Sequence, residues 1–153
     1  MKRGGQHLAD SVTDITHGIT RGSARLLGDL DQGVLTEFSL VSGRRVDMIG
    51  IDRAGLVTVI EVKASVADFK GDRKWWEYLA FCDRFYFAVA TDFPRDLLPD
   101  DANCGVIIAD RFGAEILREP VVEKLPAARR KAVTLSFARA AAWRLQGLLD
   151  RAF

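Results

Sequence analysis

The chain has 153 residues and a net charge of +1, from 22 basic and 21 acidic side chains. With 48% hydrophobic and 28% charged residues it excludes a disordered chain, and its length suits one domain with its own core. The near-zero net charge excludes an overall basic polyanion binder, so any basic surface has to be a local patch.

Residues 8–28 read as a helix: Leu8, Val12, Ile15 and Ile19 recur at helical spacing, Ala24, Leu26 and Leu27 extend it, and Gly28 offers a stop. Gly18 and Gly22 each weaken it by about 1 kcal/mol. Residues 34–41 alternate in part as a first strand, and SGR at 42–44 is a turn signal. Residues 45–51 and 56–63 flank DRAG, a loop of hairpin length containing Gly55. Ser65 caps the next helix, with Asp68 three residues on, and that helix runs from Val66 to Phe81. RFYFAVA at 84–90 is nearly all apolar, as befits a central strand covered on both faces.

Beyond Pro94 and Pro99 come GVIIAD at 105–110 and AEILRE at 114–119, a further strand pair. Pro126 opens a long helix that reaches Leu149, with Leu135, Ala138, Ala142, Leu145 and Leu149 as its core stripe. The three early strands are expected to be antiparallel, and the fourth, reached by a helical crossover, parallel to a neighbour. The expected fold class is therefore α/β, a mixed sheet flanked by helices in a single domain.

The hairpin raises a chemical question. Side chains alternate along a strand, so Arg45, Asp47, Ile49 and Ile51 share one face, and Val57, Val59, Glu61 and Lys63 share another. The hairpin can bring the two sets together. Asp47 and Glu61 then repel unless one takes a proton or a cation sits between them. Hard oxygen ligands match Mg²⁺, with the Val62 backbone carbonyl completing the protein ligands. Lys63 would orient or deprotonate a water and offset charge on an attacked phosphate. The bland account makes these residues a solvated strand face. Against it, the acids interrupt very apolar strands, and a capped helix follows at once.

The order helix, strand, strand with Asp47, strand with Glu61-Val62-Lys63, helix, strand resembles the core of the PD-(D/E)XK nuclease superfamily. The text from Arg44 to Pro94, with GVIIAD at 105–110, GAEILRE at 113–119 and PAARRKAVTLSFARAAAW at 126–143, is similar to the MmcB family of bacterial DNA repair proteins. The resemblance runs from Thr20 to Trp143. It implies a restriction-endonuclease-like domain over 1–153, with its core at about 20–120 and a C-terminal helix at about 126–150. It also implies a DNA repair role and a Mg²⁺- or Mn²⁺-dependent deoxyribonuclease with Asp47, Glu61 and Lys63 at its three core positions. Val46 replaces the motif's proline, and the first helix lacks the glutamate that often joins the metal site. Glu37 is the candidate substitute, or else a surface acid.

Lys70, Lys74 and Tyr78, with Trp76 nearby, suit a phosphate backbone and an unstacked base. One of Trp75 and Trp76 is expected in the core and the other at the surface. Asp72 is a candidate further acid for the metal. Arg129, Arg130 and Lys131 oppose the dipole at the start of the last helix and offer an anion site, or a solvated basic face. His7 and His17 are expected at the surface. Cys82 and Cys104 have no metal or CxxC spacing and read as reduced structural thiols. No signal peptide is visible and no apolar run approaches the length of a membrane span, so the expected location is the cytoplasm. The expected partners are DNA and other repair proteins. The reading from a different class is a catalytically inactive nuclease fold that binds DNA or docks a protein. An RNA substrate also stays open.

Overall fold

The computed structural model describes residues 11–72 and 74–152. Its strands are β1 (Gly33–Ser39), β2 (Arg45–Ile51), β3 (Val57–Lys63), β4 (Arg84–Val89), β5 (Cys104–Ala109) and β6 (Ala114–Arg118), and its helices are α1 (Val12–Asp29), α2 (Val66–Gly71) and α3 (Ala127–Asp150). A 3₁₀ segment, Trp75–Phe81, follows α2. The strands lie side by side in chain order, in one sheet. β1, β2 and β3 form an antiparallel meander, β3–β4 and β4–β5 are parallel, and β5–β6 is antiparallel. This is the expected mixed α/β sheet flanked by helices, and the strands end within a residue or two of their expected bounds.

The two central parallel strands are buried almost throughout because both faces of the sheet are covered. On one face, Ile19 and Leu27 of α1 pack on Met48, Ile60, Tyr86, Ala88 and Ile107. On the other, α2, the 3₁₀ segment and α3 cover Ile49, Val57, Val59, Phe85, Phe87 and Val89. Trp75 stacks on Phe85 at 5.5 Å while Trp76 is exposed, one tryptophan inside and one outside as expected. Both cysteines are free and buried.

The Ser11 side chain and Asp14 form a capping box that starts α1 at Val12, and the expected start at Leu8 lies outside the described residues. The helix tolerates Gly18 and Gly22 because the β5–β6 turn packs directly on them. A Cβ at Gly22 would lie 2.1 Å from the Asp110 carbonyl oxygen and 2.5 Å from that of Gly113. The turn cannot yield easily, since the Asp110 carboxylate accepts the amides of Phe112 and Gly113 at 2.8 and 3.1 Å. Gly22→Ala is therefore expected to destabilise the protein by about 2 kcal/mol, the usual scale of overpacking, despite a helix-propensity gain of about 1 kcal/mol. A thermal melt with an unchanged or higher midpoint would contradict this.

Two expectations need correction. The helix expected over 66–81 breaks at Asp72, whose backbone is extended (φ −95°, ψ 103°), and continues only as the 3₁₀ segment. Gly71 weakens the helix there, and the Asp72 carboxylate accepts the Lys74 amide at 3.1 Å, so a turn competes with the next helical bond. The expected core stripe of α3 is also wrong. Leu135, Leu145 and Leu149 are 54%, 59% and 49% exposed, and the face that packs is that of Val133, Phe137 and Ala140. The helix is apolar on two faces, and periodicity alone does not say which one meets the sheet.

Asp83 ties the far end of the site-bearing face together. Its buried carboxylate accepts the amides of Val57 and Leu125 at 2.6 and 2.8 Å and a two-pronged contact from Arg130 at 2.6 and 2.8 Å.

Candidate functional site

The β2–β3 register pairs Met48 with Ile60, which sets Asp47 opposite Glu61 one step further on. Residues directly opposite point to the same face, so the period-two argument from sequence holds. The ladder itself stops at Met48 and Ile60. Beyond it the strands part, and carboxylates replace carbonyls as acceptors. The Asp47 amide donates to Glu61 Oε1 at 3.0 Å, and the Val62 amide donates to Asp47 Oδ2 at 2.7 Å. On the other side, Glu37 stands across from Asp47 in left-handed backbone (φ 49°), and the β1–β2 pairing skips that position.

Each carboxylate thus spends one oxygen on a backbone amide. Glu61 is 5% exposed and Lys63 7% exposed, with Asp47 half-buried. Burial, then the neighbouring Asp47 charge, push the Glu61 carboxyl up to about 8. Burial also raises Asp47, against the opposing pull of the Val62 amide and Lys63. The pair therefore disfavours two negative charges unless a cation compensates them.

Lys63 does not neutralise the pair by direct contact. Its Nζ lies 3.0 Å from Asp72 Oδ2, and both side chains are almost buried. Asp72 reaches Lys63 because the chain leaves the helix at that residue. The pair opens into a cleft of about 630 Å³ lined by Arg44, Lys63, Asp68, Asp72, Lys74 and Tyr78, with Glu61 at its wall. The Arg44 guanidinium sits 5.0 Å over the Tyr78 ring and donates to Glu77 at 2.7 Å and to the Lys74 carbonyl at 3.2 Å. Burial and the Glu61 charge push the Tyr78 hydroxyl up to about 12.

The sequence model of the DNA repair protein MmcB-like family matches residues 7–152. The chain belongs to that family. Membership supports a role in DNA repair and extends the resemblance seen over Thr20–Trp143 to nearly the whole chain. Among curated proteins none matches. Among solved structures, the SPO1766 protein of unknown function from Silicibacter pomeroyi is 43% identical, with a TM-score of 0.85 over 90% of this chain and 92% of that one.

In this MmcB-like chain Asp47, Glu61 and Lys63 do converge, while other expected site residues are dispersed. Glu37 is exposed, and the charges that bear on Asp47 are those of Lys63, Asp68 and Arg45. Lys74 and Tyr78 line the cleft, Lys70 is exposed on α2, and Trp76 is 55% exposed on the 3₁₀ segment. The helix break means that Lys70, Lys74 and Tyr78 do not form one helical row. Arg130 is turned inward onto Asp83, so it leaves the expected basic cluster. Arg129 lies over the Phe81 ring at 4.5 Å, and Lys131 is exposed. His17 is exposed on α1, and His7 lies outside the described residues. Sequence reasoning missed Arg44, whose one signal is its place in GRR just before the strand that carries Asp47. Among the described residues no helix is long and apolar enough to cross a membrane.

Proposed function

We propose that this protein is a metal-dependent nuclease of the PD-(D/E)XK type that hydrolyses phosphodiester bonds of DNA in repair. The observation that carries the reading is the open end of the β2–β3 ladder, where two facing carboxylates each keep one oxygen clear of the backbone amides. Among the described residues no group of three or more His, Cys, Asp or Glu side chains forms a metal cage. A pair of carboxylates fits Mg²⁺ or Mn²⁺ all the same, because Mg²⁺ usually keeps several waters and uses only one or two carboxylates. Asp47 and Glu61 would hold the ion. The Val62 carbonyl would be a further ligand, because a strand residue projects its carbonyl on the same edge as its amide, here the edge facing Asp47.

A bound divalent ion supplies electrophilic activation of the phosphate and a water of lowered pKa. The chain's own residues do the rest. Asp72 positions Lys63, whose ammonium orients the attacking water and offsets charge on the phosphate oxygens. Lys74 and Arg44 on the cleft wall attract the DNA backbone, and exposed Trp76 offers a face for an unpaired base. If Lys70 and Lys74 contact phosphates, changing both to Ala should make the slope of log affinity against log salt shallower by up to about 2. An unchanged slope would move the DNA elsewhere.

The Lys63–Asp72 ion pair favours a second reading, a catalytically silent nuclease fold that binds DNA or docks a repair protein. A lysine held by an acid is less free to serve a nucleophile. The test is cleavage of single-stranded, duplex and branched DNA with Mg²⁺ or Mn²⁺, by wild type and Lys63→Ala, alongside a calorimetric Mn²⁺ titration of wild type and Asp47→Ala. The nuclease reading expects wild type to cut, Lys63→Ala to lose cutting but keep metal binding, and Asp47→Ala to lose metal. No cutting and no Mn²⁺ binding by wild type would leave the second reading standing.

A further inference from the structure

We propose that two copies of this chain associate back to back through the outer face of α3, as an antiparallel helix pair. One face of α3 is already used, with Val133, Phe137 and Ala140 packed on the domain. The residues Leu135, Ala138, Ala142, Leu145 and Leu149 recur in alternating steps of three and four, the spacing of a coiled-coil seam. At about 100° per residue this seam lies roughly 160° around the helix from the packed face. It is open: the three leucines are about half exposed or more, and both alanines are exposed. A second helix can dock there without disturbing the domain.

The order of leucine and alanine identifies the occupant. In an antiparallel pair, the first seam position of each heptad meets the fourth of its partner. Ala138 then faces Leu149 of the partner subunit, Ala142 faces Leu145 of the partner subunit, and the two-fold axis repeats both layers. Leu135 falls past Asp150 of the partner subunit, the last helical residue of that α3, at the open end of the seam. Every layer sets one large side chain against one small one, so the volume stays even and the helices can approach closely. Parallel pairing would instead stack alanine on alanine in two successive layers and leave a void. The seam is thus complementary to itself in one orientation, the requirement of an isologous two-fold contact.

Charge agrees with this arrangement. Of the residues flanking the seam, Ala132, Thr134, Arg139, Ala141, Gln146 and Leu148, only Arg139 is charged, so like charges do not line up. Lys131 sits unfavourably in the first turns of its own helix. In the pair it comes alongside the partner's helix C-terminus, where the helix dipole is negative.

One helix pair buries less than a standard interface, so the dimer should be weak and dependent on concentration. Sedimentation of the full chain from about 5 µM to about 500 µM spans that range. The mean mass is expected to rise from the 17.0 kDa of one chain toward twice that value. Leu145→Glu and Leu149→Glu, both at exposed positions that leave the domain core untouched, should each weaken association at least about tenfold. Val41→Glu, at a position 80% exposed in the β1–β2 turn, should leave it unchanged. A mixture of Ala142→Cys and Leu145→Cys chains should cross-link under oxidation more readily than either alone, the native cysteines being buried. A single-chain mass at the highest concentration overturns the proposal. So does normal association of Leu145→Glu, or equal cross-linking of Ala142→Cys by itself.

Discussion

Glu61→Gln is expected to abolish Mg²⁺-dependent cleavage while raising the melting temperature of the metal-free protein. The amide keeps the shape and still offers an oxygen to the Asp47 amide, which donates to Glu61 at 3.0 Å. It removes a charge that burial and Asp47 disfavour. A carboxyl raised in the folded state to about 8 contributes its full stability below the unfolded value, and that contribution falls away as pH rises toward 8. Gln never ionises, so the variant's advantage should grow from about pH 5 to about pH 8, to roughly 2 kcal/mol. Metal reverses the comparison. A saturating ion at about 100 times its dissociation constant stabilises the wild type by about 2.7 kcal/mol, and the variant should gain little. Because the ion displaces a proton, wild-type affinity should climb by up to about tenfold per pH unit until the carboxyl is ionised. Melts in chelator and in Mn²⁺, with a nuclease assay on the same samples, check all three points. A variant that cuts, or that gains as much from Mn²⁺ as wild type does, sinks the metal-site reading.

Asp83→Asn is expected to cost about 3 kcal/mol or more, the range for breaking a buried pair, and to lower the melting temperature by roughly 6–12 °C for a chain of this size. Burial alone would raise the Asp83 carboxyl, but Arg130 and the amides of Val57 and Leu125 hold it below the usual carboxylate range. Asn offers one oxygen where two are used and leaves Arg130 uncompensated. For a depressed carboxyl the stabilisation is present above about pH 4 and is lost as pH falls through the folded value. The wild type should therefore lose stability from that acid limb, and the variant should lack the component. Denaturant titrations at neutral and acid pH measure this. A neutral-pH loss below about 1 kcal/mol would show that the pair is not a main tie.

These two carboxylates illustrate what the sequence discloses. The convergence of Asp47, Glu61 and Lys63 was legible because strand geometry has a strict period of two, and the hairpin loop leaves few registers. The antiparallel early strands and the parallel fourth were legible from turn residues and the helical crossover, whereas the strand order across the sheet was not. Asp72 was harder. Helical spacing runs on through it, and the local signals for a break, Gly71 and the Asp72–Lys74 turn, do not announce that its carboxylate then reaches Lys63. Arg130 sits in a basic run with neighbours of identical charge, and its inward turn depends on Asp83, 47 residues away. The face of α3 that packs was equally hidden, since both of its apolar faces obey the helical period.

The open end of the β2–β3 ladder also gives the protein built-in indicators. The amides of Asp47 and Val62 lie in a sheet yet end on ionisable oxygens, at 3.0 and 2.7 Å. An ordinary ladder amide faces a carbonyl, whose charge does not depend on pH. These two should instead report the protonation of the pair through their nitrogen and proton resonances, moving together as the pair titrates. Occupation by a divalent ion should shift the same two signals and freeze their response to pH. The state of the site can then be followed in the intact protein, residue by residue, with neither substrate nor turnover.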